Sequence, residues 1–251
     1  MARILTDETT LHRWRTSLGK ESRILRKLLF VEAGLALLLV ATGVVLLLLG
    51  KGSVLLIVGA LFGILTAGHW LKIRQNEDDY SFVEVGLKGE QEVTKLLKAA
   101  LGNDSYILND ISVRHGWKQA QMDHVVVTPR GIFVIETKTW RGVIEGDEKG
   151  EKWTQTRRPG QKPHTMFNPI LQNRRQIRIL RMFLEDKGVD WPDIYPVLVS
   201  KSRYGEFRIR NSTVPILRPK DAAAHISAQT SDRVYTDEEV TAVISSLMRT
   251  L

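Results

Sequence analysis

Gln121-Met122-Asp123-His124-Val125-Val126-Val127-Thr128-Pro129-Arg130-Gly131-Ile132-Phe133-Val134-Ile135-Glu136-Thr137-Lys138 is the stretch from which this chain is best read. Two apolar runs flank Pro-Arg-Gly, the pattern of a β-hairpin with strands over 122–128 and 132–138. Residues two apart on a strand share a face, so Glu136 and Lys138 project together while Thr137 points away. With Pro129-Arg130 as a two-residue loop, Thr128 pairs with Gly131 and Asp123 lands opposite Glu136. Proline fixes a negative φ, however, and Gly131 equally suits a type I turn with a bulge, which shifts the pairing by one; both registers stay open.

Glu-x-Lys by itself usually means a surface salt pair. Here Glu136 closes an apolar strand, where a buried charge is costly unless a partner or metal compensates. Asp123 and Glu136 are the expected ligands of Mg2+ or Mn2+, hard cations that take oxygen donors and bridge to phosphate. Lys138 is expected to steady an attacking hydroxide and the charge that builds on a phosphoryl group. Glu90, after Gly89 at what reads as the start of a helix, either completes this site or is an acid stabilised by a helix N-terminus. Strand alternation points His124 to the opposite face, as a structural residue.

Moving outward, a helix is expected to open at Gly86-Leu87-Lys88-Gly89-Glu90 and to end at Gly102-Asn103, followed by a strand over 106–113. After the hairpin come a short strand at Val143-Ile144, a helix over 169–187, strands over 194–200 and 214–217, and a helix over 237–248 capped by Thr236. This order is that of an α/β domain with a mixed sheet flanked by helices. Arg157, Arg158, Lys162 and His164 crowd a Pro- and Gly-containing loop, and Arg174, Arg175, Arg178 and Arg181 stud the next helix. They suit a phosphate backbone, a solvated face or an anionic lipid surface. Trp140 and Trp153 read either as base-stacking platforms or as core residues.

Ala33 to Gly50 and Val54 to Leu71 are each long enough to span a bilayer and carry no charge. Only Lys51-Gly52-Ser53 separates them, so a helical hairpin is expected, entering and leaving on one side. Basic residues from Arg13 to Lys27 precede it and Lys72 and Arg74 follow it, which predicts cytoplasmic termini. The segment before the first span also has the pattern of an interfacial helix. Gly59-x-x-x-Gly63 suits packing within the hairpin or a homo-oligomer through it. The expected organisation is a basic cytoplasmic juxtamembrane segment (1–32), a transmembrane hairpin (33–72), a linker (73–81) and a soluble α/β domain (82–251). A net charge of +8 favours anionic partners. The chain has no cysteine, which excludes disulfides, thiolate metal sites and a thiol nucleophile.

Gly86-x-x-Gly89-Glu90, Gln121-Met122-Asp123-His124, Gly131 to Lys138, Gly142, Trp153 and Asn168-Pro169-x-x-Gln172 together resemble the nuclease-related (NERD) domain of the PD-(D/E)xK restriction-endonuclease-like superfamily. The resemblance covers roughly residues 86–181. It implies a restriction-endonuclease-like fold, a catalytic set of Asp123, Glu136 and Lys138 with Glu90 contributing, and DNA or RNA as substrate. Met122 stands where the superfamily has proline, a departure that leaves the acid in place. The combined expectation is a membrane-anchored, metal-dependent phosphodiesterase at the cytoplasmic face. The alternatives are a tethered, non-catalytic module that binds nucleic acid or a partner, and a scaffold that oligomerises through its hairpin.

Overall fold

The computed structural model describes residues 1–6, 10–51, 54–191, 193–201 and 206–250. The chain forms two units, one of Thr10–Val85 and one assembled from Met1–Thr9 and Gly86–Leu251. In chain order the elements are β1 (Arg3–Ile4), α1 (Thr10–Leu48), α2 (Val54–Ala100), β2 (Tyr106–His115), β3 (Lys118–Thr128), β4 (Gly131–Lys138), β5 (Val143–Asp147), β6 (Lys152–Thr156), β7 (His164–Phe167), α3 (Pro169–Asp186), β8 (Ile194–Ser200), β9 (Glu206–Arg210), β10 (Ile216–Leu217), α4 (Pro219–Ala228) and α5 (Asp237–Met248).

The α/β unit is built on a mixed six-stranded sheet of order β1-β2-β3-β4-β8-β10, with a four-stranded sheet of order β7-β6-β5-β9 beside it. Both faces of the larger sheet are covered, which is why its central strands are apolar without alternation. On one face Val125, Val127, Ile132 and Val134 meet Leu180, Phe183 and Leu184 of α3 and Val243 and Leu247 of α5. On the other, Val126, Phe133 and Ile135 meet Val93 and Leu97 of α2 and Ala222 and Ile226 of α4. Helices thus flank the sheet as the α/β reading expects.

The hairpin adopts the two-residue loop: Thr128 pairs with Gly131 and His124 with Ile135, so continuing the register sets Asp123 opposite Glu136. The bulged alternative is not formed. Gly131 has φ of 145° and a side chain there would strike Tyr195 and the carbonyl of Asp193, so the turn admits only glycine. Beside this turn, where the N–H of Tyr235 donates to the carbonyl of Pro129 at 2.8 Å, Thr236 caps α5 in a reciprocal capping box with Glu239.

Several local readings change. Residues 73–81 are not a linker, and Gly86 does not open a helix, because α2 runs unbroken from Val54 to Ala100. The polar stretch lacks proline and glycine from 69 to 85, and Glu, Gln, Lys and Arg are good helix formers even without apolar periodicity. Residues 1–6 are not part of a juxtamembrane segment. β1 lies parallel to β2, pairing Arg3 with Tyr106 and Ile4 with Ile107. The region after Trp140 holds three unexpected strands, β6, β7 and β9, and α4 is a fourth unexpected element.

In the Thr10–Val85 unit, both helices are long and apolar enough to cross a membrane. A side chain at Gly59 would strike Val40 and one at Gly43 would strike Leu56, whereas Gly63 faces open space. Gly59 therefore serves packing within the pair. Polar ties lie towards the other end of the pair, away from the turn: Glu32 meets His69 at 2.7 Å and Arg26 pairs with Glu77. Thr16 and Arg15 belong to the same helix as the first span, and Arg15 stacks over Tyr80 at 5.3 Å. Gly52 and Ser53 of the expected turn lie outside the described residues.

Candidate active site

The middle of β3 and the end of β4 bring Asp123, Glu136 and Lys138 together. Glu136 is 1 % exposed and its carboxylate is fully engaged. Its Oε1 accepts from Lys138 Nζ at 2.5 Å and from Gln172 Nε2 at 2.7 Å, and its Oε2 accepts from Gln176 Nε2 at 2.7 Å. Gln176 also donates to the carbonyl of Gln121 at 2.8 Å, one strand over. Gln172 and Gln176 lie one turn apart on α3, so a single helix face grips the acid. Asn168 caps that helix, accepting from the N–H of Ile170, while its amide donates to carbonyls of the turn at 147–150. Gln172 belongs to the motif quoted above; Gln176 is absent from it, although its spacing of four from Gln172 is a helix-face signal.

Asp123 accepts from the backbone N–H of Thr137 at 2.7 Å. Burial, followed by the charges of Glu136 and Glu90, pushes its carboxyl well above the usual range; Lys138 and the Thr137 N–H offset this only in part. Burial, then Asp110 and Glu136, push Glu90 up to about 7. For Lys138, burial pulls downward, but Glu136 and Asp123 outweigh it and the amine is raised above its ordinary value. It is a cation throughout the neutral range, suited to stabilising negative charge rather than to taking a proton.

Glu90 reaches this neighbourhood from within α2, not from a helix N-terminus, so dipole stabilisation does not account for it. The preceding Gly89 allows the approach, since a side chain there would overlap Thr139 just beyond β4. Lys201 ties the same turn down by pairing with Glu92 at 2.5 Å. Asp110, unremarked in the sequence, is the other acid acting on Glu90. It sits in the register position opposite Asp123 between the pairs Asn109–His124 and Ile111–Met122, with φ of 54°. That left-handed residue drops out of the β2–β3 pairing beside the site, and no periodicity reveals it.

His124 faces away, as alternation predicts. Its Nδ1 lies 2.8 Å from Asn109 Oδ1 and its Nε2 lies 3.1 Å from Thr137 Oγ1. Burial drives its pKa down to about 3, so it is neutral. Because Asn109 Nδ2 donates to the carbonyl of Thr6 at 2.9 Å, Asn109 Oδ1 must accept, which puts the imidazole proton on Nδ1. A polar chain therefore runs from Thr6 through Asn109 and His124 to Thr137, the residue between Glu136 and Lys138.

The basic residues divide. Arg157, Arg158 and Lys162 are exposed on the tip between β6 and β7, and Arg178 is exposed on α3. Arg174 instead pairs with buried Glu148 and donates to Thr213 Oγ1 at 3.2 Å. Trp153 is fully buried with its Nε1 donating to Asp147, and Trp140 packs on it and on Phe207. Trp153 is a core residue.

Oxygen donors crowded enough to raise one another's pKa suit a hard divalent cation, which would relieve that repulsion. Among the described residues, no three His, Cys, Asp or Glu side chains are already grouped to hold a metal ion. The donor chemistry fits; the side chains are held by Lys138, Gln172, Gln176 and Thr137 instead.

A mixed sheet flanked by helices, with an acid in the middle of one strand and Glu-x-Lys at the end of the next, defines an α/β domain with a buried acidic cluster beside a lysine. Residues 85–200 match the family described as nuclease-related domain, NERD. An uncharacterized protein from Bacillus anthracis is 32% identical over 103 residues, covering 41% of this chain and 48% of that protein. The match thus spans about half the length of that relative. No solved structure matches the chain.

Proposed function

We propose that this protein is a membrane-anchored, metal-dependent phosphodiesterase that cleaves DNA or RNA at the cytoplasmic face. The convergence of Asp123, Glu136 and Lys138 carries this reading, because a carboxylate on one strand beside a buried carboxylate and an amine on the next is an arrangement that can serve metal-assisted phosphodiester hydrolysis. Asp123 and Glu136, with Glu90 nearby, are the residues to hold Mg2+ or Mn2+. Bound there, the ion supplies Lewis acidity to a phosphoryl oxygen and a more acidic water. Lys138, held charged by its neighbours, stabilises negative charge on the scissile phosphate. Gln172 and Gln176 fix the rotamer of Glu136, and the Thr137 N–H fixes that of Asp123. Exposed Arg157, Arg158, Lys162 and Arg178 supply sequence-independent contacts to a phosphate backbone. The two apolar helices and the excess of Lys and Arg before the first support anchoring with cytoplasmic termini.

The experiment is cleavage of plasmid and single-stranded substrates by the full chain in detergent with Mn2+, beside Asp123→Ala and Lys138→Ala. Activity lost in both variants supports the reading; equal activity in all three proteins points to a contaminant. A second reading, a non-catalytic nucleic-acid- or partner-binding module, draws on the satisfied hydrogen bonding of Glu136 and the lack of a ready metal group among the described residues. It predicts salt-sensitive binding that survives Asp123→Ala and fails when the exposed arginines are removed.

A further inference from the structure

We propose that the juxtamembrane turns of α1 and α2 form a binding site for the phosphate-bearing headgroup of an anionic glycerophospholipid, an inference that rests on the membrane reading above. Along α1, the stripe Gly19, Ser22, Arg23, Arg26, Lys27 and Phe30 follows helical spacing and belongs to the face turned towards α2. In the apolar part of the pair the corresponding contacts are close, with Gly59 against Val40 and Gly43 against Leu56. Higher up, the small residues cannot fill the space and the long basic ones do not bury their charge. A cleft of about 600 Å³ remains, closed on the α2 side by Glu77 and Tyr80.

Its charge is unbalanced. Glu77 is taken by Arg26. Among the described residues, Arg23 and Lys27 are exposed and have no acidic partner, and Ser22 adds a hydroxyl to the same wall. Two free cations and a hydroxyl around one concavity are donors for a single phosphate. The depth favours a lipid over other phosphates. Arg26 and Lys27 precede Ala33, where the apolar run begins, by six or seven residues, roughly 10 Å along a helix. The headgroup layer is roughly 5–8 Å thick on each side, and long Arg and Lys side chains at that height reach back into it. Phe30, 77 % exposed at the membrane-side edge, is positioned for acyl chains, and Tyr80 is an aromatic residue of the kind that settles at the interface. Basic pockets between spanning helices on the cytoplasmic side select anionic headgroups by this combination.

The test begins with membranes containing the full chain, washed with alkaline carbonate: release overturns both the span reading and the site, whereas retention leaves the site to be tested separately. The retained protein, in a non-ionic detergent, is then given equal amounts of phosphatidylglycerol and phosphatidylcholine, and bound lipid is counted by native mass spectrometry. The wild type should prefer phosphatidylglycerol by about tenfold, Arg23→Gln/Lys27→Gln should lose the preference, and Arg13→Gln, outside the cleft on the same helix, should keep it. No preference, or one unchanged in the double variant, overturns the site while the spans stand. Displacement of the lipid by millimolar inorganic phosphate would make it a site for free phosphate, and displacement by a short oligonucleotide one for nucleic acid; either result overturns the lipid assignment.

Discussion

Glu136 is buried among three donors, and two of them are uncharged amides of α3 that hold their place through α3's own packing. Oε1 has two of these donors but Oε2 has Gln176, so removing that amide leaves a carboxylate oxygen unpaired out of water. Gln176→Leu is expected to destabilise the chain by about 1–3 kcal/mol in urea unfolding, and to be non-additive with Glu136→Ala. Additive effects would show that the two residues are independent. Glu90 makes a second test at this scale. Its folded pKa of about 7 stands above the ordinary 4.5, so the folded chain holds the extra proton between those values. The associated stability is complete below 4.5 and is lost as pH rises through about 7. From about pH 5 to about pH 8, the melting temperature of the metal-free chain should fall more steeply than that of Glu90→Gln, and Mn2+ should restore part of the loss at the upper end. Parallel slopes would remove Glu90 from the acidic cluster.

At the scale of elements, the β3–β4 hairpin is set by its turn. Gly131→Val places a branched side chain at φ of 145° against Tyr195 and the Asp193 carbonyl. It should cost about 2–4 kcal/mol in thermal or urea unfolding and reduce cleavage, because Asp123 and Glu136 depend on that register. Wild-type stability in this variant would mean that the turn relaxes without cost. The hairpin, α3 and α5 are legible in the sequence because each has a strong local cause: continuous apolar strands around Pro-Arg-Gly, an amphipathic stripe after Asn168-Pro169, and a Thr236 cap with Glu239. Strand alternation puts Glu136 and Lys138 on one face, whereas the place of Asp123 opposite Glu136 depends on a hairpin register that the turn residues alone leave open. The continuity of α2 does not, since its polar middle has no apolar period to read. Lys152–Thr156 is a strand with one large apolar residue, and Arg3–Ile4 has only two residues and a partner about a hundred positions away, so neither carries a sufficient local signal. The period-two alternation of Phe207 and Ile209 in β9 is present but short.

At the scale of the whole molecule, the α/β unit is discontinuous in sequence. Its first strand precedes the apolar helices and its remainder follows them. A fragment beginning at residue 82 would expose the edge of β2, lose the bonds that Thr6 makes to Asn109 at 2.8 and 2.9 Å, and break the polar chain to Thr137. Deleting residues 1–6 from the full chain should lower stability by about 2–4 kcal/mol, and Thr6→Val should cost a smaller part of that, both measured by thermal unfolding. An unchanged melting temperature on deletion would show that β1 contributes nothing. The same interleaving constrains any bilayer the chain enters. A segment that departs from one folded body and returns to it has both ends in one compartment, so its number of crossings must be even. Parity, set by a two-residue strand at the start of the chain, would forbid a single-pass topology however the apolar residues were redistributed.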